Sequence, residues 1–224
     1  MQWGELDWQD RLQIRAALAQ DFRGICAYCE RQCETQTSSG NPRNREEIEH
    51  FRPRSRFPDL SFDWLNLVYA CHRCNHSKAD GWPGFEDGSV NLLLAAEDPR
   101  YTPVSEYVSP NASAKQRPAS DFFSYDFDTG EIMPSDQLSS IEWSVARRTI
   151  TDIDLNDSQL GENDPNHLWR QRRAQLDLLR EATIAHDDDE LAAMIVEDLM
   201  LPDSPFSSFV QAYVRTPGSE FASV

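Results

Sequence analysis

The stretch YACHRCNHSKAD, residues 69–80, places two cysteines three positions apart and follows them at once with polar side chains. A second pair with the same C-x-x-C spacing lies upstream, within residues 26–29. In a reducing compartment thiols stay unpaired, so two such pairs indicate a metal site rather than disulfides. Four thiolates can enclose a tetrahedral Zn²⁺ completely, which makes such a site structural. The predicted ligands are Cys26, Cys29, Cys71 and Cys74.

This zinc site would tie the segment after Cys71 back to the turn that carries Cys26, in a region with little apolar core of its own. Zinc sites contribute on the order of 10 kcal/mol of folding free energy in small domains. Four unrelated buried thiols are the less favoured alternative, because both pairs have metal spacing. Three other residues could replace one of the thiolates: Cys33, His72 and His76.

The composition predicts a cytoplasmic protein. No apolar run among the 224 residues approaches the length that crosses a bilayer. The first ten residues, MQWGELDWQD, carry acids instead of the apolar core of a secretory signal. A chain of this length can bury a core of its own, as one domain or as two small ones.

The net charge of −17 argues against a surface that binds nucleic acid throughout, because like charges repel. Residues 41–80 differ from the rest, with seven Arg or Lys against six acids. This window therefore carries +1, and the remainder of the chain carries −18. We infer that the region around the second cysteine pair tolerates phosphate and that the acidity lies elsewhere.

The pattern of elements predicts an α+β fold. EEIEHF (46–51) is predicted as a short strand, WLNLVYA (64–70) as a second strand or an approach to a helix, and CHRCNHSKAD (71–80) as a short helix. Upstream, Asp7 can cap a helix that Gly24 ends. The buried stripe of that first helix is predicted to contain Trp8, Leu12, Ala16, Ala19 and Phe22.

Beyond residue 100 the chain is predicted to be mostly helical with one small hairpin. The alternation of Phe123, Tyr125 and Phe127 before a turn at 128–130 is typical of a hairpin. One helix is expected to open at Asp164 and Pro165, another over 187–200, and a last one near the C-terminus. The predicted inward side chains are Trp169, Leu176 and Leu179, then Leu191, Met194, Ile195 and Leu199, and finally Phe206, Phe209, Val210 and Tyr213.

A second constellation of polar residues lies close to the second cysteine pair. His50 follows Glu49 on the predicted strand, and a neutral imidazole there could take a proton from water near pH 7. Asn75 follows Cys74, so a zinc-held cysteine would position it, and its amide oxygen suits Mg²⁺ or Mn²⁺. Each of these residues, and Asn66 with them, has an ordinary structural explanation when taken alone. Their combination with two C-x-x-C pairs favours a functional site.

The motifs Glu49-His50-x-x-Pro-Arg-Ser, Asn66-Leu and Cys-x-x-Cys-Asn75-x-x-Lys78 resemble the HNH endonuclease motif on a ββα-metal finger. The resemblance implies one catalytic divalent metal, Mg²⁺ or Mn²⁺, and hydrolysis of a phosphodiester bond. His50 would be the general base and Asn75 a metal ligand. Asn66 would hold the loop that bears the base through backbone hydrogen bonds. The motifs cover residues 26–78, about a quarter of the chain.

The resemblance leaves the second metal ligand open. Glu49 is one methylene longer than the aspartate of many relatives, and His76 could serve in its place. The basic residues expected to contact the phosphate are Arg52, Arg54, Arg56 and Lys78.

A narrower resemblance, carried by the helix before CAYCE, by EHFRPRS and by Leu155–Leu160, is to the HNH subunit of Septu-type and retron-associated antiphage defence systems. It implies an ATPase partner, which could accept the acidic surface that repels nucleic acid. The predicted organisation is an HNH nuclease domain over residues 1–98 and a mainly helical, partner-docking region over residues 99–224.

Two other functions fit parts of the sequence. A zinc-bound module could grip nucleic acid through its basic residues without cutting it, and it would need no base. Alternatively, a structural or regulatory subunit could carry a degenerate finger and dock a partner through its acidic half. The Glu-His and Cys-Asn-x-x-Lys elements are intact, which favours the nuclease.

Overall fold

The computed structural model describes residues 3–35, 39–81, 119–160, 164, 166–185, 189–201 and 204–217. Within these ranges the helices and strands follow in the order α1 (Trp8–Asp21), β1 (Glu46–His50), β2 (Leu67–Cys71), α2 (His72–Lys78), β3 (Phe123–Tyr125), β4 (Ile132–Pro134), α3 (Ser140–Ile153), α4 (Leu168–Ala185), α5 (Asp189–Met200) and α6 (Ser207–Val214). The two strand pairs among these helices confirm the predicted α+β class.

β1, β2 and α2 form the predicted ββα unit. The two strands are antiparallel, with Glu46 opposite Cys71 and His50 opposite Leu67. All five residues of β2 are buried, whereas in β1 only Glu49 and His50 are. α2 begins at the residue after β2 ends, so no loop separates the strand from the helix. The position of α2 relative to β1 is therefore set by the strand pairing and by the side chains between them.

α1 begins where Asp7 predicts, since the Asp7 carboxylate accepts a hydrogen bond from the backbone N–H of Asp10 at 2.7 Å. Its predicted buried stripe is wrong in the first two turns, where Trp8 is 68% and Leu12 42% exposed. Ala16 is also exposed, and Leu18, which was not predicted, is fully buried. The apolar core contacts the helix mainly near its C-terminal end, and Ala19 and Phe22 are on that side as predicted. The reason is that α1 meets the core through its last turn rather than along a stripe.

The β3–β4 hairpin and the C-terminal helix α6 confirm their predictions. α4 begins at Leu168, later than predicted, and the Asp164 carboxylate accepts a hydrogen bond from the backbone N–H of Asn166 at 2.8 Å in the turn before it. Pro165 lies outside the described residues.

In α5 the predicted core residue Met194 is 57% exposed, and Val196 is buried in its place. Leu191 lies among the residues whose side chains are not described.

Two buried polar contacts join the C-terminal part of the chain to α2 and to the turn that carries the first cysteine pair. Arg73 of α2 forms an ion pair with Asp157, and both side chains are buried. Asp157 also accepts a hydrogen bond from the backbone N–H of Leu168 at 2.6 Å, where α4 starts. Glu30, beside the first cysteine pair, accepts hydrogen bonds from the hydroxyl of Ser208 on α6 and, at 3.1 Å, from its backbone N–H.

One apolar cluster contains buried side chains of the ββα unit and of the helices α3 to α6. The predicted division at residues 98 and 99 falls outside the described residues and stays a prediction. Among the helices in the described ranges, none has both the length and the apolar character needed to cross a membrane.

Candidate active site

The four predicted zinc ligands come together inside the core. The Sγ atoms of Cys26, Cys29, Cys71 and Cys74 all lie within 4.8 Å of one another, and all four side chains are buried. Cys29 Sγ and Cys71 Sγ are 3.8 Å apart. A tetrahedron with metal–sulfur bonds of about 2.3 Å has sulfur atoms about 3.8 Å apart. The donor set therefore fits a tetrahedral metal ion.

Neighbouring groups hold the thiols in place. The backbone N–H of Cys71 donates a hydrogen bond to Cys26 Sγ at 3.3 Å, and Arg73 Nη1 donates to Cys74 Sγ at 3.4 Å. Burial raises the pKa of the Cys26 and Cys74 thiols. Because metal ions bind the thiolate form of cysteine, a bound cation would displace the protons of these thiols.

Cys33, His72 and His76 are the predicted substitute ligands for this cluster. Cys33 is buried, whereas His72 and His76 are exposed. Among the described residues, the group that could hold a metal ion consists of the four paired cysteines and contains none of these three. The geometry therefore supports the four-cysteine set.

A cleft of about 230 Å³ lies beside β1 and α2. Four of the predicted site residues line it together: Glu49, His50, Arg54 and Asn75. The other residues that line it are Trp3, Ile48, Pro53, Ala79 and Asp80. His50 and Asn75 thus line one cleft, as the predicted base and metal ligand of a single site must.

His50 is held with one ring nitrogen toward the backbone. Its Nε2 lies 3.1 Å from the carbonyl oxygen of Ser61, and because a carbonyl only accepts, Nε2 carries the proton and Nδ1 the lone pair. The Trp3 ring packs edge-on against the imidazole, with centroids 4.5 Å apart. Burial lowers the pKa of His50, and the charges of Arg54 and Lys78 act in the same direction. The ring is therefore neutral at pH 7, as a base must be.

Asn66 fastens the loop after His50 to the turn before β2. Its Oδ1 accepts a hydrogen bond from the backbone N–H of Arg52 at 2.8 Å. Its Nδ2 donates to the carbonyl oxygens of Arg52 at 3.0 Å and Leu60 at 3.1 Å. The side chain is buried. These are backbone hydrogen bonds of the kind that the predicted role of Asn66 requires.

Glu49 and Lys78 form a buried ion pair between β1 and the end of α2. Lys78 Nζ also donates a hydrogen bond to the carbonyl oxygen of His50 at 3.0 Å. Burial raises the pKa of Glu49 to about 7, against the opposing effects of Lys78 and of the His50 backbone N–H. Lys78 contacts Oε1, so Oε2 is the Glu49 oxygen that could meet a cation. Lys78 was expected to contact phosphate, but its side chain is fully buried because Glu49 attracts its charge.

Asn75 is held by a carboxylate of the neighbouring strand. Its Nδ2 donates a hydrogen bond to Glu47 Oε2. The other oxygen of Glu47, Oε1, lies 2.6 Å from Nδ1 of His72. The His72 ring in turn stacks on that of His76, with centroids 5.9 Å apart.

The remaining predicted residues differ in exposure. Arg54 and Arg56 are exposed, and Arg52 is half-buried. Of the two candidates for the second metal ligand, Glu49 lines the cleft. His76 is exposed on α2 and is not among the described residues that line the cleft.

Sequence reasoning did not identify Trp3 or Glu47 as part of this site. Trp3 reaches His50 only through the packing of the N-terminal turn, and no local pattern indicates such a contact. Glu47 had a usable signal, because residues two apart on a strand face the same side and Glu49 was already a candidate.

Residues 26–81 match the protein-family model described as HNH endonuclease. These residues form an HNH domain. The HNH domain begins at the first cysteine pair and ends just after α2, so it contains the four-cysteine cluster, the ββα unit and most of the residues that line the cleft.

Two curated proteins are similar to the chain in and around this domain. Septu protein PtuB of Bacillus thuringiensis is 37% identical over 65 residues, which cover 29% of this chain and 23% of that protein. Septu protein PtuB of Bacillus mycoides (strain KBAB4) is 32% identical over 106 residues, which cover 36% of this chain and 34% of that protein. The chain thus spans about a quarter to a third of the length of these relatives.

Proposed function

We propose that this chain is a metal-dependent HNH endonuclease that hydrolyses phosphodiester bonds of nucleic acid. The observation that supports this most directly is the cleft shared by Glu49, His50 and Asn75 within the HNH domain. It brings a base and two oxygen donors to one place, and one of these donors, Asn75, directly follows Cys74 of the four-thiol cluster.

His50 is the general base of the proposed reaction. With the Nε2 proton donated to the Ser61 carbonyl, Nδ1 is the nitrogen that takes a proton from the attacking water. The lowered pKa of His50 keeps this nitrogen unprotonated at pH 7. Asn66 keeps the loop after His50 in place, so the ring does not have to be ordered when the substrate arrives.

Asn75 and Glu49 are the residues that would hold Mg²⁺ or Mn²⁺, since amide and carboxylate oxygens are the ligands these ions prefer. A bound ion of this kind supplies positive charge to the scissile phosphate and to the leaving oxygen. Arg54 lines the same cleft and can contact a neighbouring phosphate. His76 is the alternative to Glu49 as a ligand.

The four-cysteine cluster is the proposed site of a structural Zn²⁺. All four positions are filled by protein thiolates, so no position is left for substrate. Cys74 directly precedes Asn75, and this zinc would therefore fix the start of the segment that carries a catalytic ligand.

We infer further that the chain acts as the nuclease of an antiphage defence complex with an ATPase partner. The similarity to two Septu PtuB proteins supports this, although it covers a minority of each chain. The strongly acidic remainder of the chain supports a partner as well, because an acidic surface does not bind nucleic acid unaided.

The test is cleavage of plasmid DNA and of tRNA by the full chain with Mg²⁺ or Mn²⁺, alone and with the products of neighbouring genes. We expect His50→Ala to abolish cleavage, with unchanged circular dichroism and zinc content. Trp8→Ala is the control, because Trp8 is 68% exposed at the start of α1.

Unchanged cleavage by His50→Ala would remove His50 from the mechanism. If no substrate is cut and nucleic acid binds equally well with and without Mg²⁺, the non-catalytic zinc-bound module is the better description.

A further inference from the structure

Two acidic residues of β1 face α2 and contact three of its residues. Glu47 and Glu49 lie two apart on the strand and therefore point to the same side. Their partners on α2 recur every three residues, which places them on one side of that helix: Glu47 binds His72 and Asn75, and Glu49 binds Lys78. Glu47 thus contributes to the strand–helix contact that shapes the cleft.

The contact between Glu47 and Asn75 fixes the orientation of the amide. A carboxylate only accepts hydrogen bonds, so the group that faces Glu47 Oε2 must be the NH₂ of Asn75. The amide oxygen Oδ1 then lies on the other side of the same planar group. Asn75 lines the cleft together with Glu49 and His50.

We propose that Glu47 is a positioning residue, which turns the Asn75 amide so that its oxygen faces the divalent cation. His72 holds the second oxygen of Glu47 and completes the arrangement. The proposal rests on the function proposed above, in which Asn75 is a metal ligand.

The physical reason is the freedom of the asparagine side chain. The terminal torsion of asparagine has a broad, roughly two-fold preference, so without a partner the amide could present its NH₂ group to the cation. Loss of a group that orients a metal ligand typically costs 10- to 100-fold in metal affinity. Glu47 is not among the described residues that line the cleft, which favours an indirect role over direct ligation.

The test is calorimetric titration of the full zinc-loaded chain with Mn²⁺. We expect Glu47→Ala to raise the Kd for Mn²⁺ about 10- to 100-fold. Glu47→Gln should stay within a few-fold of the native chain, because the glutamine oxygen can still accept the hydrogen bond from Asn75. The charge-matched control is Glu46→Ala, since Glu46 accepts a hydrogen bond from the Tyr69 hydroxyl at 2.7 Å instead.

An equal rise in the Kd for Mn²⁺ in Glu47→Gln and Glu47→Ala would overturn the proposal. It would indicate that the negative charge of Glu47, or direct ligation by Glu47, determines the affinity. An unchanged Kd in Glu47→Ala would overturn it as well. If the alanine variant does not fold, Glu47→Val takes its place, because valine suits a strand and cannot accept the hydrogen bond.

Asn75→Ala separates this proposal from the one on which it rests. If Asn75→Ala leaves the Kd for Mn²⁺ unchanged, Asn75 is not a ligand and the proposed metal site itself fails. If Asn75→Ala weakens binding and Glu47→Ala does not, only the positioning role fails.

Discussion

At the scale of single residues, the proposed catalytic side chains are held by neighbouring groups that take no part in the reaction. His50 is oriented by the Ser61 carbonyl, and Lys78 joins the Glu49 carboxylate to the His50 backbone. Two of the proposed catalytic groups are therefore fixed by contacts outside the reacting atoms. Such pre-organisation means that no group has to be ordered in the transition state.

Motif spacing predicts His50, Asn66 and Asn75 as site residues; the structure places His50 and Asn75 in one cleft and bonds Asn66 to the loop after His50. The spacing could not indicate that Lys78 is buried, because a lysine four residues after Cys74 could face either side of a short helix. The side that it faces is set by the Glu49 charge on a strand that lies far away in sequence. The burial of Lys78 depends on tertiary packing, and no local sequence pattern predicts it.

Asn66→Ala is predicted to destabilise the chain by about 2–3 kcal/mol, because it removes three hydrogen bonds to partly buried backbone groups of Arg52 and Leu60. Urea denaturation measures the free energy of unfolding. Cleavage should fall as well under conditions where the variant is fully folded, because the loop after His50 is released. Full activity in the folded variant would show that Asn66 contributes to stability alone.

At the scale of elements, the ββα unit was predictable because each of its parts carries a local signal. The strand EEIEHF is bounded by prolines, and the helix starts within a C-x-x-C pair. α3 was not predicted, although Ser139 and Glu142 form a capping box that is visible in the sequence as Ser-x-x-Glu. The stripe of α1 was misplaced because that helix meets the core through its last turn.

The cysteine cluster is predicted to stabilise these elements as one unit. Cys74→Ser should lower the zinc content and destabilise the fold by several of the roughly 10 kcal/mol that such a site supplies. Metal analysis and thermal unfolding measure the two effects. Cys33→Ser is the matched control, because Cys33 is also buried but lies outside the four-thiol group. Loss of zinc from Cys33→Ser, or full stability of Cys74→Ser without zinc, would contradict the four-cysteine assignment.

At the scale of the whole molecule, the C-terminal helices are packed on the HNH domain through buried polar contacts. Arg73 of α2 connects the thiol cluster to Asp157, and Glu30 connects the first cysteine pair to α6. Neither contact could be predicted, since the partners lie 84 and 178 residues apart in the chain. The composition did indicate a separate acidic part, but it carried no information on how that part is attached.

Asp157→Asn is predicted to cost about 2–3 kcal/mol of stability, because it removes the fully buried carboxylate that pairs with Arg73 and leaves only the 3.8 Å ion pair with Asp154. The control is Asp152→Asn, which removes an exposed pair with Arg148 on α3 and should cost less than about 1 kcal/mol. Urea denaturation compares the two variants. Equal, small decreases in the free energy of unfolding of both variants would mean that the Arg73–Asp157 contact does not hold the C-terminal helices on the HNH domain.

In the proposed site one cation binds between Asn75 and Glu49, beside His50. A crystal structure of the zinc-loaded chain soaked in Mn²⁺, with anomalous scattering to locate the ion, would show whether an ion occupies this position. The prediction is an ion about 2.0–2.2 Å from Asn75 Oδ1 and from an oxygen of Glu49, with His50 Nδ1 facing a water molecule on that ion. An ion bound instead by His72 and His76 on the exposed side of α2, with the cleft empty, would contradict the proposed site.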